Sequence, residues 1–360
     1  MNSLNPTPWM PATRHRTWTA PAIDDRARTF HQSLSGYEPT PLISLPQLAR
    51  ELGVGQVVAK VESSRLGLPA FKALGASWAV HQVLTQQTNE RIHTLVTATD
   101  GNHGRAVAHF ARLFGHQALI VLPEGVNDLA AAAIEAEGAE VQVVQGNYDD
   151  AVAAAASAAH ARPDRILVQD TAWEGYTEVP EAIVQGYATL FAELDEQLQG
   201  ADAPDLVLVP SGVGSLLQAA LMHYRAAEAD GTTGVVAVEP TVAACLPPSL
   251  EAGAPTTVPT GHTIMAGLNC GTPSAVAWPL IAKGMDGTTA VTDQEAIRAG
   301  HDLAAHGVDA GPCGAASLAA ARVIAASSAR TSHLNLGPQS VVALLITEGT
   351  ASNPLPSLPA

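Results

Sequence analysis

Five short segments of this 360-residue chain hold residues whose types and spacing could do chemistry. The run Ala98-Thr99-Asp100-Gly101-Asn102-His103-Gly104 sets an acid, a flexible turn, an amide and an imidazole between strand-like Leu95-Val96-Thr97 and a helix expected over residues 105–114. A strand-to-helix turn in an α/β protein aims side chains and free N–H groups at the ligand crevice, and two glycines let the backbone come close to the ligand. An aspartate at that point, Asp100, is positioned to move protons. Lys72 stands at a loop-to-helix junction between Phe71 and Leu74. The helix dipole and the apolar neighbours both favour its neutral form, as Schiff-base chemistry requires; the plainer alternative is an exposed helix lysine.

The segment Pro210-Ser211-Gly212-Val213-Gly214-Ser215 follows the apolar run Leu206-Val207-Leu208-Val209 and opens a helix. Backbone N–H groups of Gly212, Val213, Gly214 and Ser215, with the serine hydroxyl, suit a phosphate; a tight turn without ligand is equally compatible. A dinucleotide-binding turn would need glycine where Leu217 stands, although Glu239 does end the next strand. The terminal run Leu344-Leu345-Ile346-Thr347-Glu348-Gly349-Thr350 delivers polar groups at a strand's C-terminal end. In Gln169-Asp170-Thr171-Ala172-Trp173-Glu174-Gly175-Tyr176, acids and aromatics follow a buried strand and fit either a cleft-lining loop or a solvated one.

These residues must be positioned by something large. The chain is 47% apolar with only 4% aromatics, so alanine, valine and leucine do the packing, which suits helices layered on parallel sheets. A formal charge of −16 argues against nucleic acid or an anionic membrane as partner. No run approaches the ~18 apolar residues of a membrane span, and the segment around Arg14, His15, Arg16 and Trp18 lacks the apolar core of a secretory signal. Cys245, Cys270 and Cys313 are too few for a disulfide framework and include no CxxC pair, so no metal site is expected and the thiols are expected reduced. A cytoplasmic, metal-free enzyme is the expectation.

Strands are expected at residues 57–61, 118–122, 141–144, 166–168, 206–209, 235–238 and 341–346. Helices are expected at 73–84, 129–137, 215–227 and 179–198, and from a cap at Asp149 through residue 160. This alternation indicates βαβ units and more strands than one small sheet needs, hence two α/β domains with a cleft between them. The proline-rich first ~20 residues read as a surface arm, residues 241–290 as a loop-rich cleft lining, and the last eight residues as a frayed tail.

Taken in order, the lysine after a Ser/Phe-type loop, the Gly-Asn-His-Gly turn, the glycine-rich turn after a later strand and the polar terminal strand resemble the fold-type II pyridoxal-phosphate enzymes, the group of threonine dehydratase and the tryptophan synthase β subunit. Within that group the motifs most resemble the diaminopropionate ammonia-lyases. The resemblance rests on Tyr37-Glu38-Pro39-Thr40-Pro41-Leu42, Glu62-Ser63-Ser64-Arg65-Leu66-Gly67-Leu68, Ala70-Phe71-Lys72-Ala73-Leu74-Gly75, Gln185-Gly186-Tyr187, the segment from Thr263 to Cys270 and the runs quoted above, and it covers residues 37–352.

The resemblance implies two three-layer α/β domains with mostly parallel sheets: an N-terminal arm (1–36), a large cofactor-binding domain (37–92 and 171–360) and a small domain (93–170). It implies pyridoxal 5′-phosphate held covalently by Lys72, with Asn102 on its 3-oxygen, the phosphate on Gly212, Val213, Gly214 and Ser215, and Thr347 facing the ring nitrogen. Ordinary dehydratases of the group carry serine or alanine where this chain has Asp100. Lys72 and Asp100 would then be bases on opposite faces, and Asp170 with Asp100 would bind a β-ammonium group. The implied reaction is the elimination of D- or L-2,3-diaminopropionate, a small amino acid, to pyruvate and two ammonia by a homodimer. Serine/threonine dehydratase chemistry is the alternative; a nicotinamide-dependent dehydrogenase built on the Gly212 to Gly214 turn, or a catalytically silent binding protein, is more distant.

Overall fold

Short β-branched runs alternating with alanine-rich segments build two separate sheets. A computed structural model describes residues 8–358 apart from 16, 89, 90, 200 and 202; the start of the expected arm and the last two residues of the expected frayed tail lie outside the described residues. In chain order the first elements are β1 (Trp9–Pro11), α1 (Arg26–Ser33), β2 (Leu42–Ser44), α2 (Pro46–Leu52), β3 (Gln56–Val61) and α3 (Lys72–Thr85). Next come β4 (Thr94–Ala98), α4 (Asn102–Leu113), β5 (Gln117–Pro123), α5 (Asp128–Ala136), β6 (Glu140–Val144), α6 (Tyr148–His160) and β7 (Arg165–Leu167). The chain continues with α7 (Glu178–Gln197), β8 (Leu206–Pro210), α8 (Ser215–Tyr224), β9 (Gly234–Pro240), α9 (Leu246–Ala252), α10 (Trp278–Gly284) and β10 (Gly287–Val291). It closes with α11 (Asp293–Ala305), α12 (Pro312–Ala325), α13 (Ser328–His333) and β11 (Val341–Ile346).

The larger sheet has the order β1-β10-β9-β8-β11-β3-β2 and the smaller β6-β5-β4-β7. All pairings are parallel except at the two ends of the larger sheet, where β1 and β2 run antiparallel. Four of the five interior strands of the larger sheet, β8, β9, β10 and β11, are buried along their whole length, and β3 along all but its first residue, as expected of strands covered on both faces. One face carries α3, α7, α8 and α10; the other carries α2, α11 and α12. The smaller sheet lies between α6 and α4. Each sheet is thus the middle of three layers, the fold-type II architecture expected from the sequence.

Several local expectations shift. The cap of α6 is Asn147, not Asp149: its side chain accepts from the N–H groups of Asp149 and Asp150, and Asp150 bonds back to the Asn147 N–H. Residues 241–290 are more regular than expected, containing α9, α10 and part of β10, because proline at the first helical turns pre-sets the backbone of α9 and α10. The segment read as an arm supplies β1 to the larger sheet's edge and packs α1 against α7 and α3.

Candidate active site

Parallel pairing sends the C-terminal ends of β3, β8 and β11 to one edge of the larger sheet, and those of β4 and β7 to one edge of the smaller. Every candidate residue follows one of these ends, where ligands bind in open α/β sheets. Lys72 lies beyond the loop after β3, the glycine turn follows β8, Thr347 follows β11, Asp100 and Asn102 follow β4, and Asp170 follows β7.

The loop from residue 62 to Lys72 is zipped onto the exit of β11. Glu62 N donates to Ile346 O at 2.9 Å, Phe71 N to Thr347 O at 3.0 Å and Gly349 N to Pro69 O at 3.0 Å. Its other anchor is a fully buried ionic quartet. Arg65 bonds both Glu62 and Glu193 of α7 at 2.7 to 2.8 Å, and Lys60 Nζ donates to Glu193 at 2.6 Å. Two cations balance two carboxylates there, the condition under which such burial is tolerated. Burial alone would raise the Glu193 carboxyl, but Arg65 and Lys60 hold it below its ordinary range.

Lys72 opens α3, and α3 crosses α7 at two glycines. A Cβ on Gly186 would come within 2.5 Å of the Leu74 carbonyl oxygen, and one on Gly75 within 2.6 Å of the Tyr187 ring. This close crossing brings Tyr187 against Phe71, ring centroids 4.7 Å apart, with Lys72 Nζ 5.5 and 5.9 Å from the two rings. Lys72 Nζ donates to Asp170 Oδ2 at 2.8 Å. The sequence led us to expect a depressed lysine. Burial does pull it down, but the Asp170 carboxylate and Tyr187 outweigh burial and hold the ammonium above its ordinary range. Asp170 itself, also buried, is kept well below the usual carboxylate range by Lys72.

Asp170 and Asp100 are brought together by Gln169. Its Oε1 accepts from Ala98 N at 2.8 Å and Thr97 Oγ1 at 3.0 Å, clamping the end of β4 to the end of β7. Its Nε2 donates to the Tyr148 hydroxyl at 2.9 Å and to Asp170 Oδ1 at 3.1 Å, and the Tyr148 hydroxyl donates to Asp170 Oδ1 at 3.1 Å. Burial and the Asp170 charge push the Asp100 carboxyl up to about 6, with Lys72 opposing them. Gly101 takes φ +153°, and Gly104 packs where a Cβ would meet Thr99 Cγ2 at 2.3 Å. His103 is buried, and its Nε2 donates to Val168 O at 2.8 Å, tying α4 to the residue after β7. Asn102 Nδ2 donates to Glu348 Oε2 at 2.7 Å, and its Oδ1 accepts from Ser352 Oγ.

The glycine turn is shaped as an anion cradle. Gly214 is left-handed at φ +101° and caps α8 without a side-chain bond, leaving the first N–H groups of that helix open. A Cβ on Gly212 would come within 2.9 Å of Gly267 O and 3.1 Å of Cys270 Sγ, so only glycine lets the turn pack there. The buried hydroxyls Ser211 Oγ and Thr347 Oγ1, at the ends of β8 and β11, have no hydrogen-bond partner among the described residues. A cradle of free N–H groups, two unpartnered hydroxyls and an amine in one cleft fit pyridoxal phosphate. They do not fit a dinucleotide, because Glu239 is enclosed. It accepts from Cys245 N, Leu246 N and Thr288 Oγ1 and is 1% exposed, out of reach of a ribose.

Sequence reasoning missed Tyr148, and it quoted the segments that hold Tyr187, Ser211 and Arg65 without assigning those residues a role. Nothing local marked Tyr148, the first residue of a helix in an otherwise unremarkable acidic stretch. Cys245 and Cys270 are free thiols, with burial pushing Cys270 up to about 12.

Residues 34–348 match the family model described as pyridoxal-phosphate dependent enzyme. The chain is 35% identical over 350 residues to diaminopropionate ammonia-lyase of Escherichia coli strain K12, covering 90% of this chain and 87% of that protein. It is 39% identical over 277 residues to the protein of that name from Salmonella typhimurium strain LT2, covering 70% and 68%. The crystal structure of Escherichia coli diaminopropionate ammonia lyase in complex with an aminoacrylate-PLP azomethine reaction intermediate superposes with a TM-score of 0.86 at 34% identity, covering 95% of this chain and 94% of that one.

Proposed function

The chain belongs to the pyridoxal-phosphate-dependent enzyme family, and from that premise we propose that it is a carbon–nitrogen lyase converting 2,3-diaminopropionate to pyruvate and two ammonia. The observation that carries this reading is the Lys72–Asp170 pair at 2.8 Å with Asp100 beside it, in a cleft otherwise suited to the cofactor. The names of the relatives, diaminopropionate ammonia-lyase, support the same substrate.

In this reading Lys72 Nζ holds the cofactor, Asn102 its 3-oxygen, Gly212, Val213, Gly214 and Ser215 its phosphate, and Thr347 Oγ1 its ring nitrogen. When bound, pyridoxal phosphate draws electrons from the substrate's Cα and makes the α-proton acidic. Lys72 Nζ accepts that proton on one face, and the Asp100 carboxylate accepts it from the enantiomer that presents its proton on the other. The Asp170 carboxylate, already matched to an ammonium in this structure, holds the β-ammonium group. An amide anion is far too basic to leave, so the β-nitrogen departs with the C–N electron pair as neutral ammonia, having entered protonated. Water then supplies the ketone oxygen of pyruvate, and the α-nitrogen leaves as the second ammonia. Two acids at the β-position disfavour the uncharged hydroxyl of serine, which sets this reading above a dehydratase.

A homodimer and a cytoplasmic location belong to this reading as well. The net charge of −16 and the fact that no helix among the described residues is long and apolar enough to cross a membrane are compatible with them. The test is the absorption spectrum of the purified holoenzyme, followed by addition of D- and L-diaminopropionate with pyruvate and ammonia measured. A visible band and a pyruvate-to-ammonia ratio of one to two are expected. A featureless visible spectrum, or serine outrunning diaminopropionate, refutes the assignment.

A further inference from the structure

Glu348 follows Thr347 at the exit of β11, and the mechanism above makes no use of it. The side chain is 3% exposed, and a buried carboxylate needs a reason. It accepts from Asn102 Nδ2 at 2.7 Å, and from Cys313 N and Asn353 Nδ2 at 3.3 Å each. Four residues on, Ser352 Oγ donates to Asn102 Oδ1. Asn102 opens α4 of the smaller sheet, yet both ends of its amide are held by the exit of the larger sheet's terminal strand. An asparagine amide can turn over with almost no change in shape, exchanging donor for acceptor. Burial raises the Glu348 carboxyl above its ordinary range, and the hydrogen bonds from Cys313, Asn102 and Asn353 oppose that shift. As an ionised acceptor Glu348 takes the NH₂ end of Asn102, the arrangement seen at 2.7 Å. One Nδ2 hydrogen is taken by Glu348; the second is left for another acceptor.

We propose that Glu348, with Ser352, is a positioning residue that fixes the amide of Asn102 so that its second Nδ2 hydrogen is offered to the cofactor's 3-oxygen. This rests on the reading that Asn102 contacts that oxygen. The arrangement also ties the exit of β11 to the start of α4.

The test uses full-length protein and needs no substrate, so it stands apart from the identity of the amino acid consumed. Pyridoxal phosphate is titrated into apo-protein, and affinity and the balance of long- and short-wavelength absorption bands are read for wild type, Glu348→Ala, Glu348→Gln, Ser352→Ala, Asn102→Ala and the Asn102→Ala/Glu348→Ala double variant. Glu348→Ala is expected to weaken cofactor binding about tenfold, the scale of one lost bond to a charged group, and to shift the band balance. Glu348→Gln, which keeps an acceptor, should recover most of the wild-type spectrum. The double variant should be no worse than Asn102→Ala alone. A wild-type spectrum in Glu348→Ala, or additive losses in the double variant, overturns the proposal. If Glu348→Ala does not fold, wild-type affinity and spectrum in Ser352→Ala overturn it. An Asn102→Ala variant with wild-type affinity and spectrum would instead remove the contact on which the proposal rests.

Discussion

Lys72 and Asp170 meet at 2.8 Å although one opens a helix beside the larger sheet and the other follows a strand of the smaller. The pair is shielded: the Lys72 side chain is 20% exposed and that of Asp170 9%. It is an ion pair that joins a residue beside the larger sheet to one beside the smaller.

Asp170→Asn keeps the shape of that carboxylate and removes its charge. Turnover of diaminopropionate should fall about 10²-fold in kcat/KM, the usual scale for losing one electrostatic contact at a reacting centre. Serine, with no β-ammonium, should lose much less. Pyruvate release measured with both substrates checks this; equal losses would mean that Asp170 does not read the β-group.

Asp100 should write its own ionisation into the pH profile of one enantiomer. Burial, then the Asp170 charge, sets its carboxyl at about 6. A base must be ionised to act, so kcat/KM for D-diaminopropionate is expected to rise as pH climbs through about 6 and to level off above it. Asp100→Asn should remove that limb and cost D-turnover about 10²-fold or more, while L-turnover through Lys72 is largely kept. Steady-state rates from pH 5 to 8 with each enantiomer decide it, and parallel losses contradict the two-face assignment.

The fold and the site were unequally legible in the sequence. Parallel strands buried on both faces are continuous apolar runs, so β3, β5, β8, β9 and β11 stood out; β10, with Gly287, Thr288 and Thr289, did not, although it is buried just as fully. Residues whose chemistry depends on one turn, such as Asp100 and Gly214, were visible because turn and chemistry lie in the same few residues. The state of Lys72 was misjudged because its partner stands 98 positions away. The lowering by burial is local and legible; the carboxylate that outweighs it is a tertiary fact. The contacts of Tyr148, and the pairing of Arg65 with Glu193, 128 positions away, are tertiary in the same way.

The α3–α7 crossing sets where Lys72 and Tyr187 stand, and it tolerates no side chain. In Gly186→Ala the new methyl would lie 2.5 Å from the Leu74 carbonyl oxygen, which as helix backbone cannot step aside. A loss of about 1–3 kcal/mol in urea unfolding is expected, with altered cofactor absorption as Lys72 shifts. Gly337→Ala, with open space around it, is the control and should stay within about 0.5 kcal/mol.

The Arg65 quartet should make stability depend on charge balance rather than on any single bond. Glu193→Gln leaves Lys60 and Arg65 facing Glu62 alone, an uncompensated positive charge at zero exposure. Breaking a buried pair in this way costs about 3–5 kcal/mol, whereas replacing both partners with apolar groups is often neutral. Glu193→Leu combined with Lys60→Met should therefore be markedly more stable than Glu193→Gln. The pH sign follows from the direction of the shift. Burial raises the Glu193 carboxyl, but Arg65 and Lys60 together hold it below its ordinary value of 4.5. Its contribution is then fully present above that value and is lost as pH falls below it. Wild type should lose stability below about pH 4.5 more steeply than Glu193→Gln, which has no proton to take up there. Urea unfolding of all three proteins at pH 7 and pH 4 measures both effects, and a Glu193→Gln variant as stable as wild type would show that the quartet is not charge-coupled.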